Sequence, residues 1–79
     1  MEIKVLGTGC ASCKNLEKTV INCLAEINIT ADVEKVEDIQ KIISYGIMRT
    51  PGLVINGKVI ISGRVPSSNE MKEILLKHK

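Results

Sequence analysis

Cys10 and Cys13, set two residues apart in the stretch Gly7-Thr8-Gly9-Cys10-Ala11-Ser12-Cys13, are the residues of this chain best suited to chemistry. Cysteine reacts as the thiolate. A thiol with an ordinary pKa of about 8.5 falls to roughly 3.5–7.5 at a helix N-terminus, where N–H groups lack intrahelical partners and the dipole favours negative charge. The stretch joins a short β-patterned run to a long helix-patterned one, which places both cysteines at the start of a helix. Two chemistries suit that arrangement. In thiol–disulfide exchange, a thiolate at Cys10 attacks a disulfide to form a mixed disulfide, and Cys13, about one helical turn on, resolves it intramolecularly. In soft-metal binding, two thiolates hold an ion such as Cu(I) in a near-linear exposed site, whereas a closed zinc site needs four ligands. Cys23 falls ten residues past Cys13 on an apolar stripe and His78 is near the far terminus, so no second ligand pair is apparent. Cys23 reads as a small core residue, His78 as a terminal surface residue, Met48 and Met71 as packing, and Tyr45 as the edge of a core.

The elements that position the cysteines can be read in order. Glu2-Ile3-Lys4-Val5-Leu6 is a short, largely alternating run ended by glycines, a first strand, and Gly7 and Gly9 allow a tight turn after it. From Ser12, apolar residues at Leu16, Val20, Cys23, Leu24 and Ile27 form a helical stripe, and Asn28 closes the helix. Residues 29–36 read as a second strand, with Ile29, Ala31 and Val33 on one alternation and Val36 off it, a slip of register. A shorter helix from Asp38 carries Ile39, Ile42 and Ile43 at helical spacing and stops at Gly46. An irregular link through Thr50-Pro51-Gly52 enters the strand Leu53-Val54-Ile55; Asn56-Gly57 signals a hairpin, and Lys58-Val59-Ile60-Ile61 returns. After Pro66, Ser67 and Glu70 have capping-box spacing, Met71, Ile74 and Leu75 form a buried stripe, and Lys77, His78 and Lys79 suit the helix C-terminus. The order is β-α-β-α-β-β-α, an α/β fold with a mixed four-stranded sheet in a single domain, 1–79. Helices between the first two strands and before the third imply parallel crossovers, and the hairpin makes the last strand antiparallel.

Composition narrows the setting. A chain of 79 residues buries only about 60% of its unfolded surface, and with 44% hydrophobic residues but one aromatic, Tyr45, its core is aliphatic. A net charge of +2, with no basic cluster interleaved with aromatics, excludes nucleic acid as an expected partner. The N-terminus enters a strand pattern directly, and no apolar run approaches 18 residues, so the expectation is a cytoplasmic protein without a membrane partner. In a reducing compartment, Cys-x-x-Cys spacing points to redox or metal chemistry rather than a structural staple.

The element order, Cys10-x-x-Cys13 at a strand-to-helix junction and Thr50-Pro51 before the hairpin together resemble the thioredoxin superfamily, most closely its small archaeal and bacterial thioredoxin-like redox-active disulfide proteins. The resemblance covers essentially the whole chain. It implies a three-layer α/β/α domain and a thiol–disulfide oxidoreductase in which Cys10 is the exposed nucleophile and Cys13 the buried resolving thiol. It further implies that Pro51 is a cis proline packed beside the disulfide and that the backbone of Thr50 pairs with an extended substrate segment. No bound cofactor is implied. The partners would be a disulfide-containing protein or small molecule as substrate and a flavin-dependent disulfide reductase for recycling, with the chain itself a monomer. The sequence departs from typical thioredoxins in having Gly9 where tryptophan precedes the first cysteine, Ala11-Ser12 in place of Gly-Pro, and no evident counterpart on the first strands of the buried acidic residue that assists proton transfer. Arg49-Thr50-Pro51 also differs from the Thr-Val-Pro common in glutaredoxins, so glutathione use is not implied. A second resemblance, to the Gly-Met-Thr-Cys-x-x-Cys loop of the heavy-metal-associated domain, would make the chain a copper carrier. That fold runs β-α-β-β-α-β, so the order of elements separates the two.

Overall fold

The computed structural model describes residues 1–9 and 11–78. In chain order its elements are β1 (Glu2–Leu6), α1 (Ala11–Glu26), β2 (Asp32–Val36), α2 (Ile39–Ser44), β3 (Gly52–Ile55), β4 (Lys58–Ser62) and α3 (Ser68–His78). This is the expected β-α-β-α-β-β-α order, with the four strands in one mixed sheet arranged β2-β1-β3-β4.

One expectation about strand direction is overturned. β1 and β2 are parallel, with Ile3 opposite Val33 and Leu6 opposite Val36, but β3 runs antiparallel to β1, with Leu6 opposite Gly52 and Ile3 opposite Ile55. A parallel β3 would require the chain to travel back along the full sheet between β2 and β3. Instead β3 starts at the end of the sheet where β2 finished, since Leu6 pairs with both Val36 and Gly52. The hairpin is as expected: Asn56 and Gly57 both have positive φ, 50° and 83°, the requirement of a two-residue type I′ turn. A bulge between Leu53 and Val54 pairs them with Ile61 and Val59, leaving Ile60 as the extra residue.

The sheet separates two helical layers. On one face Ile3, Val5, Leu53, Ile55 and Ile61 pack under Leu16, Val20, Cys23 and Leu24 of α1 and Met71 and Leu75 of α3. On the other, Leu6, Val36 and Val54 meet Ile42 of α2 and Ile47, with Tyr45 at the margin. The core is aliphatic and among the described residues it buries no polar or charged side chain. α2 begins at Asp38, whose carboxylate accepts the Gln40 N–H at 2.9 Å, and ends before Gly46, at φ 84°. Ser67 caps α3 by accepting the Glu70 N–H at 3.2 Å; the Glu70 carboxylate pairs with Arg64 instead of closing the box.

Three local readings change. β2 starts at Asp32 rather than 29, because the Ile29 N–H still donates to Leu24 at the end of α1 and Asn28 turns the chain at φ 58°. There is no slip at Val36: Val33 and Val36 lie an odd number of residues apart, so one joins each core. The α2 stripe is only partly used, since Ile42 is buried while Ile39 and Ile43 are 58% and 63% exposed, and Met48, expected to pack, is 97% exposed.

Candidate functional site

Cys13 is the third residue of α1, directly after the turn that leaves β1. It is buried, although Ala11, Ser12 and Lys14 around it are exposed, because the helical stripe that carries Leu16 and Val20 into the core begins with it. Its sulfur is bonded rather than free. Cys10 lies outside the described residues.

The residue that gives Cys13 its place is Gly7. A Cβ on Gly7 would overlap the Cys13 sulfur and come within 2.8 Å of the Cys13 Cβ, so only glycine lets the end of β1 and the first turn of α1 approach this closely. The Gly7 N–H donates to the Val36 carbonyl at 2.9 Å, extending the β1–β2 ladder by one rung and fixing the loop. Gly9 has φ 89°, the left-handed region that glycine enters without cost, and turns the chain into α1. Sequence reading assigned Gly7 and Gly9 to a tight turn; contact with the cysteine was not visible in it. The Glu37 carboxylate, just past β2, also borders this loop, 3.9 Å from the position of a Cβ on Gly9.

The second part of the site arrives through the sheet. Because Leu6 pairs with Gly52, the residues immediately beyond that pair, Gly7 on β1 and Pro51 before β3, stand at the same end of neighbouring strands. The Thr50–Pro51 peptide is cis, as the resemblance implied. Pro51 is buried and Thr50 exposed. The Pro51 carbonyl accepts from the Gly63 N–H at 2.8 Å, which ties this turn to the end of β4. Beside Thr50, Ile39 and Ile43 of α2 with Met48 and Arg49 border a cleft of about 460 Å³ floored by Ile42 and Ile47.

Other sulfur and nitrogen groups lie apart. Cys23 is ten residues beyond Cys13, about 15 Å along the helix axis. It is 1% exposed, a core residue as expected, donates to the Ser68 carbonyl at 3.5 Å, and burial pushes its thiol up. His78 is half-buried with Nδ1 2.7 Å from the Ile74 carbonyl, so it belongs to the end of α3 rather than to open surface.

Among the described residues no three His, Cys, Asp or Glu side chains converge as a metal site, and no helix is long and apolar enough to cross a membrane. No curated protein was found that matches the chain. The thioredoxin domain family matches residues 1–76, nearly the full length and including every element of the sheet and the cysteine loop. The chain belongs to the thioredoxin domain family, a fold whose general function is redox chemistry.

Proposed function

We propose that the chain is a thiol–disulfide oxidoreductase with Cys10 and Cys13 as its redox couple. The observation that carries this reading is the setting of Cys13: a buried sulfur in the first turn of α1, backed against a glycine, between exposed residues on the helix start. Burial protects a resolving thiol from bulk reagents, while a separation of three residues from Cys10 in the sequence makes its attack intramolecular.

The reaction balances as follows. The Cys10 thiolate attacks one sulfur of the substrate disulfide, forming the Cys10–substrate bond and expelling one substrate thiolate, which takes a proton from water. Cys13 loses its proton to water and attacks the Cys10 sulfur, forming the Cys10–Cys13 disulfide and expelling the second substrate thiolate. Two electrons pass to the substrate, and a dithiol reductant, of the class a flavin-dependent disulfide reductase supplies, returns the couple to its reduced form. Thr50, exposed beside Pro51, offers backbone groups to an extended substrate segment, a β-like pairing that presents the disulfide to the cysteine loop.

A copper carrier of the heavy-metal-associated type would have a hairpin after α1 and end in a strand; here α2 intervenes and the chain runs into α3. The test is reduction of insulin or a small disulfide by fully reduced protein. Activity should vanish in Cys10→Ser, and Cys13→Ser should accumulate a mixed disulfide on Cys10. Turnover that survives Cys10→Ser, or trapping on Cys23, overturns the assignment.

A further inference from the structure

The apolar cleft beside Thr50 has features that the exchange chemistry does not use. Of the large hydrophobic side chains exposed among the described residues, three, Ile39, Ile43 and Met48, stand together on it, and Met48 is almost wholly in solvent. Exposed apolar groups gathered in one place mark an interaction site more often than scattered ones do. A charge sits at the same place. The stem of Arg49 lies across Gly63, with its Cβ and Cδ 2.9 and 3.3 Å from where a Gly63 side chain would begin. Gly63, at φ 81°, is in turn hydrogen-bonded to the Pro51 carbonyl. The stem is therefore held by the turn that carries Thr50, while no carboxylate among the described residues pairs with the guanidinium.

We infer that this cleft selects the substrate: a protein disulfide whose cysteine lies in an extended segment bearing an aliphatic side chain for the Ile39–Ile43–Met48 cleft and a carboxylate for Arg49. This rests on the oxidoreductase reading and adds to it the class of disulfide preferred. Charge complementarity chooses the occupant. An unpaired arginine, which matches a carboxylate bidentately, calls for an acidic group beside the apolar one. Continuity does the rest, since a segment paired along Thr50 runs past the cleft with alternate side chains on the cleft side. A second copy of the chain is a poorer occupant, because a stable dimer buries on the order of 1,200 Å² or more and three exposed apolar side chains form a smaller patch.

The experiment uses fully reduced protein and extended peptides carrying one cysteine as a 2-thiopyridyl disulfide, flanked by leucine and glutamate, serine and glutamate, or leucine and lysine. Each second-order rate is divided by that of the same protein with bis(2-hydroxyethyl) disulfide. One aliphatic side chain in a hydrophobic site is worth about tenfold or more in rate, so the leucine–glutamate peptide should exceed the serine–glutamate one by about that factor, and it should exceed the leucine–lysine one because lysine meets Arg49 as a like charge. Ile43→Gln with Met48→Ser should erase the leucine preference, Arg49→Glu should invert the glutamate preference, and Leu76→Ser, on α3, should leave both as they are. Preferences below twofold in the wild type overturn the inference while leaving the oxidoreductase reading intact. Failure to reduce even bis(2-hydroxyethyl) disulfide overturns both. A dimer in sedimentation that Met48→Ser dissociates would give the cleft to a second copy and likewise overturn the peptide occupant.

Discussion

Gly7→Ala isolates the contact that places Cys13. Gly7 is buried and its φ lies outside the left-handed region, so an alanine there meets no backbone strain. What it meets is Cys13: the added methyl overlaps the sulfur and lies 2.8 Å from Cβ, against backbone-anchored atoms of a helix that cannot retreat without moving Leu16. Overpacking of this kind costs about 1–3 kcal/mol. A domain of this size loses roughly 4–8 °C of melting temperature per kcal/mol, so the expected fall is about 4–24 °C. Urea unfolding of the reduced protein measures it free of any change in disulfide state. The assignment to Cys13 follows from a double-mutant cycle: Cys13→Ala removes the sulfur and should cut the Gly7→Ala penalty by half or more, leaving the Cβ contact. A Gly7→Ala protein within 2 °C of wild type, the resolution set here at about 0.4 kcal/mol, or a penalty unchanged by Cys13→Ala, would refute the argument.

Two further outcomes separate backbone and burial effects from site effects. At Gly57, φ 83° and no atom within 4 Å of an added Cβ, alanine pays only the left-handed conformation, about 1–2 kcal/mol in urea unfolding. Because the hairpin is at the opposite end of β3 from Pro51, the variant's rate with bis(2-hydroxyethyl) disulfide should match wild type; a tenfold loss would count against that placement. At Cys23, burial raises the thiol pKa above its ordinary value. The unfolded chain therefore releases this proton at a lower pH than the folded one, so the stability it carries is complete below about pH 8.5 and declines as pH rises beyond it. Unfolding in urea at successive pH values should show this decline in wild type and a smaller one in Cys23→Ala; parallel curves would show that Cys23 ionises alike in both states.

Much of this was legible because local signals agreed. Asn56-Gly57 could hardly be anything but a hairpin, Asp38 and Ser67 are helix caps where residue type alone suggested them, and the stripe from Leu16 to Leu24 faces the core as its spacing required. The misreadings share a cause. The spacing of Ile39, Ile42 and Ile43 reports a helix face, but a six-residue helix lying on one sheet face covers only Ile42, and nothing in periodicity says how wide a neighbour will be. Met48 looked like packing because methionine usually packs. Gly7 was read as a turn residue, since a glycine chosen for close approach and one chosen for φ are indistinguishable until the neighbour is known. Arg49 carried no signal at all: its placement depends on Gly63, fourteen positions away, and on the turn that brings the two together.

The strand that was misdirected in the sequence reading is also the one on which the site depends. Had β3 run parallel to β1, its first residue would pair near Glu2 and Pro51 would lie at the other end of the sheet, some 13–17 Å from the cysteine loop by strand length. The two features that suggested a redox site, Cys10-x-x-Cys13 and Thr50-Pro51, would then have had no common place. Antiparallel pairing of Leu6 with Gly52 gives them one. The six-residue α2 leaves Ile39 and Ile43 uncovered beside Thr50. The pairing of β3 with β1 thus closes the candidate site, and the six-residue α2 that precedes it furnishes the apolar surface next to it. Lengthening α2 by one turn should disturb the apolar surface and leave the Leu6–Gly52 pairing in place, whereas changes to the hairpin should disturb neither.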